Sequence, residues 1–297
     1  MKILNFGSLN IDIVYNVPHI LIPGETLAST KRELFCGGKG LNQSLALARA
    51  GDLSVYHAGC IGNDGEMLIN TLKESDVDIG LIKTSDCSSG HAIIQVDDSG
   101  QNSIILFGGA NQQIDVDYIL KVFDNTESGD WLLLQNEISG IEKIINLAYE
   151  QGLKIVFNPS PIDDNILSLP LEKIHGFILN EIEGQALAGV SDDEEICNKL
   201  LEKYPAEFVV LTLGSRGAVY ADRNILVKQP IFNVPVVDTT GAGDTFTGYF
   251  LSSFINGLEP SQSLNIANAA SAIAVGRKGA ASGIPYKHEV EKFLNDN

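Results

Sequence analysis

Residues 174–188 read IHGFILNEIEGQALA. The apolar run ending at Asn180 has the length of a buried strand, and 181–188 carries helical periodicity, so a strand here turns directly into a helix. The same succession recurs along the chain. KILNFGS (2–8), SVYHAGCIG (54–62), DWLLLQ (130–135), LKIVFN (153–158) and FVVLTLG (208–214) are further strand candidates, and helical stretches occupy 41–50, 66–74, 141–151 and 193–203. Strand, helix, strand at this spacing calls for parallel βαβ units, so the fold class is α/β, with a mostly parallel sheet flanked by helices.

Two regions break this rhythm. HAIIQVDDSGQNSIILF (91–107) alternates on both sides of Asp98-Ser99-Gly100, as a β-hairpin does. NIDIVYNV (10–17) and TLASTKRELFC (26–36) also read as strands, with no helix between them. Segments near 10–17, 28–37 and 90–108 are therefore expected to form a small β-sheet lid; extra edge strands on one sheet are the plainer alternative. Unpaired lid edges would favour a homodimer through that sheet.

Composition narrows the function. The 297 residues are 44% hydrophobic with 29 Gly and no low-complexity run, as in a compact globular protein. A net charge of -18 argues against a nucleic-acid partner, which needs clustered Lys and Arg to displace counterions. Cys36, Cys60, Cys87 and Cys197 are scattered, with no zinc spacing, which fits a reduced cytoplasmic setting. Asn5, Asn10 and Asp12 interrupt any signal-peptide core, and no apolar run is long enough to span a membrane, so no membrane association is expected.

In open parallel sheets, ligands sit beyond the carboxyl ends of the strands. Residues 236–248 read VVDTTGAGDTFTG, placing Gly241-Ala242-Gly243-Asp244 where a loop becomes a helix. Unpaired N–H groups and the macrodipole favour an anion there, and the glycines admit a phosphoryl group. Asp244 at the mouth suits a base that accepts a hydroxyl proton during phosphoryl transfer, although Asp is equally common as a plain N-cap. A dinucleotide fingerprint is excluded, because Phe246 stands where its third glycine belongs and the motif comes late in the chain. FCGGKGLN (35–42) suggests a second phosphate cradle, but its spacing around Lys39 is not that of a phosphate loop.

FCGGKGLNQ, followed about 200 residues later by DTTGAGDTFTG, resembles the paired signatures of the ribokinase (PfkB-type) sugar kinase family. GSLNIDIV (7–14), PGET (23–26), LLLQNE (132–137), NPSP (158–161), LNEIE (179–183), LTLGSRG (211–217) and AIAVGRKGA (272–280) extend the likeness in order over nearly the whole chain. The resemblance implies one ribokinase-like α/β domain over 1–297. It implies ATP-dependent phosphorylation of a sugar hydroxymethyl group, with D-ribose the first acceptor to test and fructose, deoxyribose or a nucleoside as alternatives. A non-catalytic sugar-binding regulator is the competing class.

The resemblance also implies roles for particular residues. Asn10, Asp12, Gly38, Lys39, Asn42 and Glu137 would line the sugar pocket, with Asp244 as base and the Gly241, Ala242 and Gly243 amides around the transferring phosphoryl. Asn10 and Asp12, two apart on a strand, share one face. Asn180 would approach the nucleotide phosphates and Glu183 would help hold Mg²⁺ through water; a helix-capping pair is the alternative. Thr212, Gly214, Ser215, Gly217 and Asn268 would surround ATP. Asp238, with Thr240, Ala274, Arg277 and Gly279, corresponds to a monovalent-cation site, usually K⁺. Here Ala281-Ser282-Gly283 stands where relatives offer a serine ligand, so that part of the cation shell departs from the pattern.

Overall fold

A computed structural model describes residues 2–51 and 53–297. Along the chain, β1 (Lys2–Phe6), β2 (Asn10–Asn16) and β3 (Lys31–Gly37) precede α1 (Lys39–Ala50). There follow β4 (Ser54–Ile61), α2 (Glu66–Lys73), β5 (Asp78–Thr84), the hairpin β6 (Gly90–Val96) and β7 (Asn102–Phe107), α3 (Val116–Phe123), β8 (Trp131–Gln135) and α4 (Ile141–Glu150). Next come β9 (Lys154–Asn158), β10 (Gly176–Asn180), α5 (Glu181–Ala188), α6 (Asp193–Lys203), β11 (Phe208–Thr212), β12 (Ala218–Ala221) and β13 (Leu226–Gln229). Four helices close the chain: α7 (Ala242–Ile255), α8 (Pro260–Val275), the short α9 (Ala280–Gly283) and α10 (Lys287–Asp296).

Among the described residues the main sheet has nine strands, ordered β13-β12-β11-β10-β9-β8-β1-β4-β5. The pairings from β5 across to β11 are parallel, and β12 and β13 extend the edge antiparallel. Period-two alternation divides the core. Leu132 and Leu134 of β8 face one apolar cluster with residues of α3, α4 and α6, while Trp131 and Leu133 face another with residues of α1, α7 and α8. The expected strands and helices at 2–8, 41–50, 54–62, 66–74 and 130–214 all form, with boundaries shifted by a few residues at most.

The second sheet, β3-β2-β6-β7, stands apart. Strands β2 and β6 pair in parallel, and the β6–β7 hairpin closes where Asp97 N–H donates to Gln101 O and Gly100 adopts φ 83°. Strand β3 begins only at Lys31, short of the expected 26–36. Thr30 N–H donates to Asn16 O and ends the connecting loop there, so pairing starts at Asn16 opposite Lys31. Among the described residues no helix is long and apolar enough to cross a membrane.

Candidate active site

At the carboxyl ends of β9, β10 and β11 a cleft of about 230 Å³ is lined by Lys39, Asn158, Ser160, Asn180, Glu183, Thr212, Thr239, Gly241, Gly243, Asp244 and Thr247. A larger cleft, about 530 Å³, lies along β5 and α3, and its Lys83 is already paired with Asp115. The strand-end cleft gathers the chemistry.

Helix α7 starts at the cleft because Gly241 (φ 75°) takes the left-handed N-cap conformation, and no side chain caps the first turn. Its leading N–H groups are therefore available to an anion. The glycines have different tasks. A Cβ at residue 241 would lie 2.9 Å from Ala280 Cβ, so that glycine is required by packing, whereas a Cβ at residue 243 would meet nothing within 4 Å. Gly243 keeps the cleft open.

Asp244 occupies the first turn of α7 and is buried. The Asn42 amide donates to its Oδ2 at 3.0 Å and the Gln43 amide to its Oδ1 at 2.9 Å. Lys39 opens α1 on the same wall. Burial works against its ammonium, but the charges of Asp244, Glu137 and Glu183 outweigh that and hold it above the usual lysine range. Lys39 therefore stays cationic among carboxylates.

Glu137, just beyond β8, bridges this wall to the β1–β2 connection by accepting from Ser8 Oγ and, at 2.9 Å, from Lys39 N–H. Burial raises its carboxyl above the ordinary range, against the hydrogen bond from Ser8 and the charge of Lys39. Burial, and then the charge of Glu137, likewise push Asp12 up to about 6. Asn10 accepts from the Asn111 amide at 2.7 Å through its side-chain oxygen. The glycines of FCGGKGLN serve this arrangement by close approach. A Cβ at residue 37 would lie 2.2 Å from Asp12 Oδ2, and one at residue 40 would lie 2.3 Å from Ser8 N. Gly38, at φ 90°, begins α1.

Asn180 and Glu183 form a reciprocal capping box on α5: Glu183 N–H donates to Asn180 Oδ1, and Asn180 N–H and Nδ2 donate to the two Glu183 oxygens. The capping alternative is thus realised, on residues that also line the cleft. Thr212 lines it as well; Gly214, Ser215 and Gly217 lie beyond its lining, in the turn after β11. Asn268 is also outside that lining, with its amide committed to the Gln229 and Pro230 carbonyls, where it ties α8 to the exit of β13.

Behind Gly241, Asp238 accepts from Thr240 N–H and Oγ1 through Oδ1 and from Gly279 N–H through Oδ2. Burial opposes its charge, but these bonds hold its carboxyl below the usual range. A Cβ at Gly283 would lie 3.3 Å from Ala274 O and 3.7 Å from Arg277 Cβ, so Asp238, Thr240, Gly279, Ala274 and Arg277 converge on one loop cluster. The Arg277 guanidinium faces away, paired with Glu289 at 2.6 Å. Among the described residues no group of three or more His, Cys, Asp and Glu is placed to hold a metal.

Sequence reasoning left out Gln43, Ser8 and Asn111, which bond Asp244, Glu137 and Asn10, and Asn158, which bonds Gln43. Gln43, Ser8 and Asn158 each stand inside a stretch that carries the resemblance, FCGGKGLNQ, GSLNIDIV and NPSP, whereas Asn111 lies outside all of them.

The model of the pfkB family of carbohydrate kinases matches residues 1–287. The ribokinase of Haemophilus influenzae is 36% identical over 97% of this chain and 96% of its own length. The crystal structure of ribokinase from Thermotoga maritima superposes with a TM-score of 0.89 at 32% identity, covering 99% of each chain. Arabidopsis thaliana ribokinase, solved with ribose and ATP, gives 0.86 at 28% identity over 99% of this chain and 98% of that one.

Proposed function

This chain belongs to the pfkB family of carbohydrate kinases, and on that footing we propose that it is an ATP-dependent kinase phosphorylating the hydroxymethyl group of D-ribose. The observation that carries the reading is Asp244: a buried carboxylate with both oxygens oriented by amides, in the uncapped first turn of a helix whose Gly243 leaves the cleft open.

Asn10 and Asp12 hold the sugar hydroxyls from β2, with Gly38, Asn42 and Glu137 completing the pocket. Asp244 orients the acceptor hydroxyl and takes its proton, while the Gly241, Ala242 and Gly243 segment cradles the transferring phosphoryl. Lys39 supplies a fixed positive charge beside that path. Asn180 and Thr212 sit on the nucleotide side of the cleft, Gly214, Ser215 and Gly217 would extend it through the turn after β11, and Asn268 would act from outside the lining by holding the exit of β13. Bound Mg²⁺ would neutralise charge on the ATP phosphates. Both Glu183 oxygens already accept hydrogen bonds, which favours contact with the ion through water. The Asp238 cluster suits a monovalent cation such as K⁺, which would brace the loop behind Gly241.

The second sheet serves as a lid that covers the sugar and excludes water as a competing acceptor. Its outer strand β7 leaves Ile104, Ile105, Leu106 and Phe107 exposed, which supports a homodimer built through it. A cytoplasmic location fits the four free cysteines.

An ADP-release assay with D-ribose, fructose, deoxyribose and nucleosides tests the proposal. Ribose should give the highest kcat/KM. Sugar binding without ADP release would mark a non-catalytic protein, and preference for another acceptor would reassign the substrate.

A further inference from the structure

Gln43 is fully buried, and its Nε2 donates to Asp244 Oδ1 and to Asn158 Oδ1, both at 2.9 Å. Its Oε1 accepts from Gln135 Nε2 at 2.8 Å, and Gln135 Nε2 also donates to Asn5 Oδ1 at 2.8 Å. Asn5 Nδ2 in turn donates to the Gly40 carbonyl at 2.7 Å and to Ser44 Oγ at 2.8 Å.

The polarity of this chain of amides is fixed at its ends. A backbone carbonyl only accepts, so the bond to Gly40 O forces Asn5 to present Oδ1 to Gln135. Gln135 must then give its NH₂ to both Asn5 and Gln43, and Gln43 must turn its NH₂ outward. On the other side, Asn158 Nδ2 donates to Ile178 O at 2.9 Å, so Asn158 also meets Gln43 with its oxygen. Every partner of Gln43 thus requires that it donate toward Asp244. Gln135 Oε1 lies against Gly7, where a Cβ would come within 2.2 Å, so no bulkier residue at position 7 could leave Gln135 in place.

We propose that Gln43 is a positioning residue for phosphoryl transfer: anchored through Gln135 and Asn5 to the ends of β8 and β1, it fixes the rotation of the Asp244 carboxylate. Asn42 alone would leave that carboxylate free to turn about one hydrogen bond, and an ångström of misplacement at a reacting group costs about 10²-fold in rate. The inference rests on Asp244 acting as the base.

The test compares Gln43→Leu, close in volume, with Gln43→Glu, which sets a like charge against Asp244. Both should lower kcat by about 10²-fold, with Gln43→Glu the slower, while KM for ribose and ATP stays within about threefold. Unchanged kcat in either folded variant, or a loss carried by KM, overturns the proposal. A readout independent of turnover is the side-chain amide NMR resonance of Gln43, assigned by its absence from Gln43→Leu. It should move in Asp244→Ala and in Gln135→Leu, and a resonance indifferent to both also overturns the proposal. A wild-type protein that releases no ADP with any acceptor would count against the kinase reading instead, and the resonance would still decide whether Gln43 holds Asp244.

Discussion

The Asn42 amide donates to Asp244 Oδ2 at 3.0 Å, joining the first turns of α1 and α7 across 202 positions of sequence. The glycine stretch at 37–40 and the glycine loop at 241–243 therefore meet at a single carboxylate.

Asp244→Asn keeps the shape of that carboxylate and removes its ability to accept a proton. Turnover should fall on the order of 10²–10⁴-fold, with sugar affinity by calorimetry largely retained. A variant keeping more than about a tenth of wild-type kcat would strip Asp244 of the role of base.

Gly37→Ala would place a methyl group where Asp12 Oδ2 now lies. It should weaken sugar binding about as much as Asp12→Ala, roughly tenfold or more, which is the scale of losing a hydrogen bond to a charged group. Calorimetry with ribose reads both variants, and unchanged affinity in Asp12→Ala would remove β2 from the pocket.

The Asp12 carboxyl is raised to about 6 from its ordinary 3.8. A group raised in the folded state contributes stability below its unfolded value and loses it as pH climbs through the folded one. Asp12→Asn should therefore melt higher than wild type at pH 8, and the difference should shrink as pH falls through about 6 and vanish below the ordinary value of 3.8. Thermal denaturation across pH checks this; a constant difference would show that Asp12 titrates normally.

The two glycines of the anion loop should respond in opposite ways. Gly241→Ala forces a Cβ into a left-handed residue and against Ala280, and should lower stability by about 1–3 kcal/mol. Gly243→Ala should leave the melting temperature unchanged or slightly higher, yet cut kcat/KM for ATP at least tenfold, because its methyl enters the open cleft. Paired melts and kinetics separate the cases.

Replacing K⁺ by a bulky organic cation should lower wild-type activity, and Asp238→Ala should abolish that sensitivity. Activity indifferent to the exchange would remove Asp238 and its neighbours from the site.

The alternation of strand and helix was legible in the sequence because each element is written locally, as at Ile174–Ala188, where an apolar run passes into a capped helix. Gly241 was legible for a related reason, since its left-handed N-cap of α7 is a local backbone feature, whereas its contact with Ala280 and the open space at Gly243 belong to the fold. What lay beyond reach was pairing across distance. The parallel join of β2 to β6 sets Asn10 opposite Gly90, and no local pattern names that partner. Asn5, Gln43, Gln135 and Asn158 are ordinary amides in the sequence. Folding brings them together, bonding a pair as far as 130 residues apart, into a buried chain in which each donor fixes the next. Local pattern encodes the layers and the residue types at the strand ends; the fold sets how the Asp244 carboxylate is aimed, because its orientation comes from long-range hydrogen bonds that no local pattern carries.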